Sequence, residues 1–159
     1  MLYKRILVPF DGSEPAKNAL EVAKKLIADD SDAVMHVLTV VPAGAVAAEL
    51  EAPDGPGSAT PMIFPDMESY ERVIARAKET AMDELNEALG SRLDDVACDV
   101  QVGAVISGKA ADGICDYAEA NGCEIIVMGR RGLGALRGML GSVSYAVLHE
   151  ADLPVLTVK

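Results

Sequence analysis

Two short runs without a charged side chain, Ile6 to Phe10 and Ile125 to Met128, most narrowly limit what this chain can fold into. Neither alternates apolar with polar residues, so each reads as a strand buried on both faces. Asp11-Gly12-Ser13 follows the first run as a turn. Apolar residues then recur at Ala16, Ala19, Leu20, Ala23 and Leu26, the spacing of one helix face. Ser13 is a natural N-cap, with Glu14 and Pro15 in the first turn. A strand covered on both sides needs helices above and below it, which is the layout of a parallel sheet.

The rest of the chain repeats that grammar. Ala33 to Val41 reads as a second buried strand. Pro42 to Pro65 holds five of the eight prolines and reads as a loop or insertion. A long amphipathic helix is expected with Met67, Tyr70, Ile74, Ala77, Ala81, Leu85 and Ala88 on one face, ended by Gly90. Val96, Cys98, Val100 and Val102 alternate, which suits a strand at the sheet edge. Ala110 to Ala120 reads as a helix closed by Asn121-Gly122, and Ser142 to Glu150 as a short helix before a last strand, Val155 to Val158. This order predicts one α/β domain over residues 1–159, with a doubly wound parallel sheet. Ligands of such sheets sit beyond the carboxyl ends of the strands, where Asp11 and Gly129 fall.

Composition narrows the function. Trp is absent and aromatics are 4% of the residues, so the core is aliphatic. The formal net charge of −11 disfavours general nucleic-acid binding. Val34 to Ala48, the most apolar long stretch, is interrupted by His36, Thr39, Pro42 and Gly44. The N-terminus enters a strand without a cleavable apolar segment, and we expect a cytoplasmic protein. Cys98, Cys115 and Cys123 show no CxxC spacing and read as reduced core thiols. His36 and His149 stand far apart, which disfavours a metal site built from side chains alone.

The segment from Gly129 to Ser144 carries the chemistry. Five glycines in the thirteen positions from Gly129 to Gly141 let backbone amides approach a ligand closely. Gly141-Ser142 then opens a helix whose unpaired N–H groups favour an anion. From Ile125 to His149 there is no acidic residue, while Arg130, Arg131 and Arg137 supply positive charge. The competing reading is a solvated surface loop before an ordinary capped helix; the acid-free window weighs against it.

With these motifs in place, the chain resembles the universal stress protein family, in the branch whose members bind ATP. Arg5-Ile-Leu-Val-Pro-Phe-Asp11-Gly-Ser13-Glu-Pro matches that family's opening strand and turn, and Val34-Met-His36-Val37 its second strand. Ile125-Ile-Val-Met-Gly-Arg-Arg-Gly132 matches the fourth, and Pro154-Val-Leu-Thr-Val158 the closing one. The resemblance implies a five-stranded sheet of order 3-2-1-4-5, adenine nucleotide α-hydrolase-like, with helices on both faces. It also implies ATP, ADP or AMP as ligand, and Mg²⁺ or Mn²⁺ held mainly by the phosphates and water. Carried over by position, the site comprises Pro9, Asp11, Val37, Met128, Gly129, Arg131, Gly132, Gly141, Ser142, Val143 and Ser144. In it Asp11 would hold the adenosine part, Val37 would read the adenine edge through its backbone, and Met128 would pack nearby. Gly129 and Gly132 would line the ribose and α-phosphate. Gly141, Ser142 and Val143 would give main-chain donors to the outer phosphates, with the Ser142 hydroxyl. The family pattern G-x2-G-x9-G-[ST] is matched except that eight residues, not nine, separate Gly132 from Gly141.

A second motif competes. Gly103-Ala-Val-Ile-Ser-Gly108-Lys109-Ala110 nearly spells a P-loop, but Ala110 replaces the hydroxyl that would ligate Mg²⁺. Around the glycine segment no carboxylate is placed to orient an attacking water, which argues for slow ATP hydrolysis at most. The expected role is a nucleotide-dependent stress-response or signalling regulator. The alternative is a dimeric interaction module that works without nucleotide, favoured by the shorter loop. The resemblance further implies a homodimer through the edge strand, at Val155, Leu156 and Val158.

Overall fold

A computed structural model describes residues 2–27, 30–51, 66–132 and 140–159. The strands are β1 (Arg5–Pro9), β2 (Val34–Pro42), β3 (Asp99–Ser107), β4 (Ile125–Gly129) and β5 (Val155–Val158). The helices are α1 (Glu14–Ile27), α2 (Ala43–Glu51), α3 (Met67–Leu89), α4 (Ala110–Ala120) and α5 (Ser142–Glu150). All strand pairs are parallel, in the order β3-β2-β1-β4-β5. This is the expected 3-2-1-4-5 sheet, with the reversal of direction between β1 and β4.

Side chains alternate between two cores. Ile6 and Val8 of β1, Met35 and Val37 of β2, and Val127 of β4 pack under α1 and the end of α3. Leu7, Leu38, Ile126 and Met128 pack under α4 and α5 with Ile114, Ala118 and Val147. Burial of each large aliphatic side chain stabilises the fold by roughly 1.5–3 kcal/mol. Ile6 to Pro9 of β1 and all of β4 are apolar and buried because both of their faces are covered.

Helix starts follow local chemistry. The Asp11 carboxylate accepts the Ser13 N–H at 3.0 Å, and the Ser13 hydroxyl oxygen accepts the Ala16 N–H at 3.3 Å. Gly12, at φ 77°, makes the turn between them. Asp66 caps α3 by accepting the Ser69 N–H, and Gly90, at φ 53°, ends it. Arg92 donates to the carbonyls of Ala88 and Leu89 at that end.

Several expectations are corrected. The stretch from Pro42 to Pro65 is not all loop: Pro42 closes β2 and the alanine-rich run Ala43–Glu51 is a helix, while residues 52–65 lie outside the described ones. Leu26 of α1 is on the solvent side and Ile27 is buried instead. On α3, Met67 and Tyr70 are 71% and 44% exposed, and burial is confined to Leu85 and Leu89. Helix α3 touches α2, and its carboxyl end, at Leu85, Ala88 and Leu89, reaches the core under the sheet. Val96 precedes β3, which runs on to Ser107. Gly103 therefore lies in an extended strand paired with Leu38, so the near P-loop is not a phosphate loop. Cys98 is buried, Cys115 and Cys123 are partly buried, and burial pushes the Cys123 thiol up to about 11. Among the described residues no helix is long and apolar enough to cross a membrane.

Ser13 is itself buried, so its cap bond has no water to replace it. Ser13→Ala should lower the unfolding free energy by about 1–2 kcal/mol in urea denaturation, with an unchanged denaturant slope.

Candidate functional site

The carboxyl ends of β1, β2 and β4 and the amino end of α5 enclose a cleft of about 620 Å³. It opens at the switch point of the sheet, where such folds hold ligands. Pro9, Asp11, Met128, Gly129, Arg131, Gly132, Gly141, Ser142, Val143 and Ser144 line it together. Of the positions expected from sequence, Val37 alone is absent from the lining. Gly134, Arg137 and Gly138 of the glycine segment lie outside the described residues.

The reason for Val37 is strand geometry. The Val34 N–H donates to Lys4 and the Leu38 carbonyl accepts the Phe10 N–H, both across to the β1 side. Backbone groups alternate sides along a strand, so Val37 turns its N–H and C=O toward β3. Val40 turns them toward β1, whose pairing with β2 has already ended at Pro9 and Leu38. The main-chain groups of Val40 therefore face the cleft, which Leu38, Thr39 and Val40 line. Phe10 and Ile114 complete its apolar end. Sequence periodicity did not mark Val40; its signal was the apolar run of β2 continuing past the end of β1.

The opposite end is polar. Tyr145 donates the first intrahelical bond of α5 to the Gly141 carbonyl at 2.9 Å. The N–H groups of Ser142, Val143 and Ser144 thus have no partner within the helix. No acidic residue stands in the first turn of α5. The Gly141 N–H is not available in the same way, because it donates to the Arg130 carbonyl at 2.9 Å. The Ser144 hydroxyl is likewise turned inward, toward the carbonyls of Arg130 and Gly141 at 2.7 and 3.0 Å. Ser142 is exposed at the mouth. Among the described lining residues, Asp11 is the one carboxylate and Arg131 the one cation.

Two glycines are needed for different reasons. A Cβ on Gly129 would lie 2.8 Å from the Pro15 carbonyl carbon and the Ala16 nitrogen, so β4 ends hard against the start of α1. A Cβ on Gly132 would lie 2.5 Å from Asp11 Oδ2, at the cleft itself.

The model of the universal stress protein family matches residues 2–159. The chain belongs to the universal stress protein family. The universal stress protein from the QAH/OAS sulfhydrylase 3′ region of Thermus aquaticus is 32% identical, covering 99% of this chain and 100% of that one. The solved structure of MJ0577, a universal stress protein of Methanocaldococcus jannaschii, matches with a TM-score of 0.75 at 27% identity. That match covers 100% of this chain and 97% of the other. A universal stress protein of Archaeoglobus fulgidus, solved in complex with dAMP, shares the fold at a TM-score of 0.53 and 20% identity, over 100% of both chains. A general stress-response role follows from membership in the universal stress protein family.

The two glycines differ in what a side chain there would meet. Gly129→Ala should destabilise the protein by about 1–3 kcal/mol, because the atoms it meets are backbone. Among the described residues, Gly132→Ala meets only the end of the exposed Asp11 side chain, whose other oxygen holds the Ser13 N–H. It should lower the thermal midpoint less than Gly129→Ala does, as read by calorimetric unfolding.

Proposed function

We propose that the cleft binds ATP and that the protein is a nucleotide-dependent regulator in stress response, with slow hydrolysis at most. The observation that carries this is the convergence of the unpaired amide groups at the start of α5 with Arg131 on the cleft that opens at the end of β4. Ser142, Val143 and Ser144 would offer main-chain N–H groups to the outer phosphates, and the Ser142 hydroxyl would add a donor. Gly129 and Gly132 would allow the ribose and α-phosphate to approach the backbone. Asp11, with one oxygen engaged by Ser13 and the other beside Gly132, would accept from a sugar hydroxyl.

The apolar end suits a purine ring between Leu38, Ile114 and Met128. A main-chain N–H and C=O on Val40 complement an acceptor and an amino group on one ring edge, the pattern of adenine rather than guanine. Pro9 would floor the pocket. Mg²⁺ or Mn²⁺ would be held by phosphate oxygens and water, since the one described carboxylate of the lining lies beside Gly132 rather than on α5. The dAMP complex of the Archaeoglobus relative is in keeping with this use of the fold.

Calorimetric titration with Mg·ATP should give saturable one-site binding, at least about tenfold tighter than Mg·GTP; ADP and AMP then rank the phosphates. Gly141→Val, which would crowd Arg131 and Ser144, should abolish it. Equal affinity for both bases would remove the adenine reading. No binding at millimolar ATP would leave the nucleotide-independent interaction module. Turnover by the purified protein should stay below about 1 per second, the low end of enzyme rates.

We further propose a homodimer through β5. This strand is the sheet edge, Leu156 is 37% exposed, and Val155 and Val158 are partly buried beside it. An unpaired apolar edge pairs readily with another strand. Size-exclusion with light scattering should give a dimer for the native chain and a monomer for Leu156→Asp; a dimer in both would discard this interface.

A further inference from the structure

His36 is a polar residue sealed in the aliphatic core, 3% exposed, in the middle of β2. Its Nδ1 shares a hydrogen bond of 3.2 Å with the Tyr117 hydroxyl of α4, and the two rings meet edge to face at 5.7 Å. Tyr117 reaches this place by lying over Gly103 of β3, where a Cβ would stand 3.6 Å from its hydroxyl. The pair adjoins the cleft. His36 and Leu38 sit two apart on one face of β2, and Tyr117 and Ile114 sit three apart on one face of α4. Leu38 and Ile114 are walls of the cleft.

The surroundings are set against a second positive charge. Arg5 from β1 opposes protonation, Asp99 from β3 favours it, and the register partner on β3, Gln101, is neutral. Cys123, beside Tyr117, stays uncharged with its thiol pushed up to about 11. Burial, and then Arg5, hold the His36 ring below its ordinary value. The unfolded chain therefore takes up the proton first as pH falls below about 6.5, and the folded arrangement loses stability from there downward.

We propose that the His36–Tyr117 contact is a proton-sensitive latch: protonation of His36 loosens α4 from the sheet, displaces the Ile114 wall of the cleft and weakens nucleotide binding. The binding half of this rests on the cleft being a nucleotide site; the latch itself does not. A charged imidazolium in an apolar core must gain water, and Tyr117 of α4 is the side chain seen hydrogen-bonded to the ring. By reciprocity, a nucleotide that needs Ile114 in place must lower the pH at which His36 titrates.

In His149→Gln, His36 is the sole histidine, and its ring protons can be followed by NMR against pH with and without Mg·ATP. Its midpoint should fall when ATP is bound; an unchanged midpoint overturns the coupling. The dissociation constant of Mg·ATP should rise more between about pH 7.5 and pH 5.5 in the native chain than in His36→Asn, by a factor below about ten because the folded His36 titrates below its ordinary value. Protonation of ATP itself affects both proteins alike, so equal profiles overturn the proposal. If His36→Asn does not fold, Tyr117→Phe serves instead: it keeps the ring and must shift the His36 midpoint, and no shift overturns the latch. If ATP fails to bind at about pH 7.5, the nucleotide reading falls and hydrogen exchange of residues 110–120 decides the latch. Exchange, corrected for its intrinsic pH dependence, should quicken below the His36 midpoint; unchanged protection overturns it.

Discussion

The backbone of Arg130 is the junction on which the cleft depends. Its N–H donates to the Val158 carbonyl at 2.6 Å, tying the end of β4 to the last strand. Its carbonyl accepts both the Gly141 N–H and the Ser144 hydroxyl, tying the same point to the start of α5. One residue thus fixes where the unpaired amides of α5 stand relative to the strand ends. Ser144 is buried with its hydroxyl directed inward, so it orients the helix rather than meeting a ligand. Without that junction α5 would still be a helix, but its amino end would not face β4.

Charge follows the same plan. A chain of net charge −11 repels anions over most of its surface. The acid-free window from Ile125 to His149 removes that repulsion where the cleft opens, and Arg131 reverses it. Asp11 stands beside Gly132, and one of its oxygens is engaged by the Ser13 N–H. The cleft is consequently divided into an apolar end between β2 and α4, a carboxylate at Asp11 beside Gly132, and a positive end at α5. An apolar ring, a hydroxyl donor and an anion, in that sequence, are the groups complementary to these three parts.

Much of this was legible in the residues because local signals and tertiary structure agree. The uninterrupted apolar runs gave β1 and β4, Ser13 gave the start of α1, and Gly141-Ser142 gave the start of α5. What failed was set by relations between distant segments. The helical period of α3 continues through Met67 and Tyr70, yet its core neighbours meet only the far end, so periodicity overstated the buried face. Val40 comes into the cleft because the pairing of β1 with β2 stops at Leu38, two residues before it. That offset shows only when the lengths of the two strands are compared. The helix Ala43–Glu51 was hidden by the prolines that follow it, since residues 43–51 themselves contain none.

The same junction explains how a shortened glycine segment remains compatible with the site. Eight residues separate Gly132 from Gly141, one fewer than in the family pattern. A loop changes the geometry at its ends only when those ends are held by the loop alone. Here they are held by each other: Gly141 donates to Arg130, and a Cβ on Gly141 would already lie 3.2 Å from the Arg131 Cα. Closing a loop between two points already in contact costs little that depends on one residue more or less. Arg130, Arg131 and the first turn of α5 are therefore held to each other by contacts outside the segment.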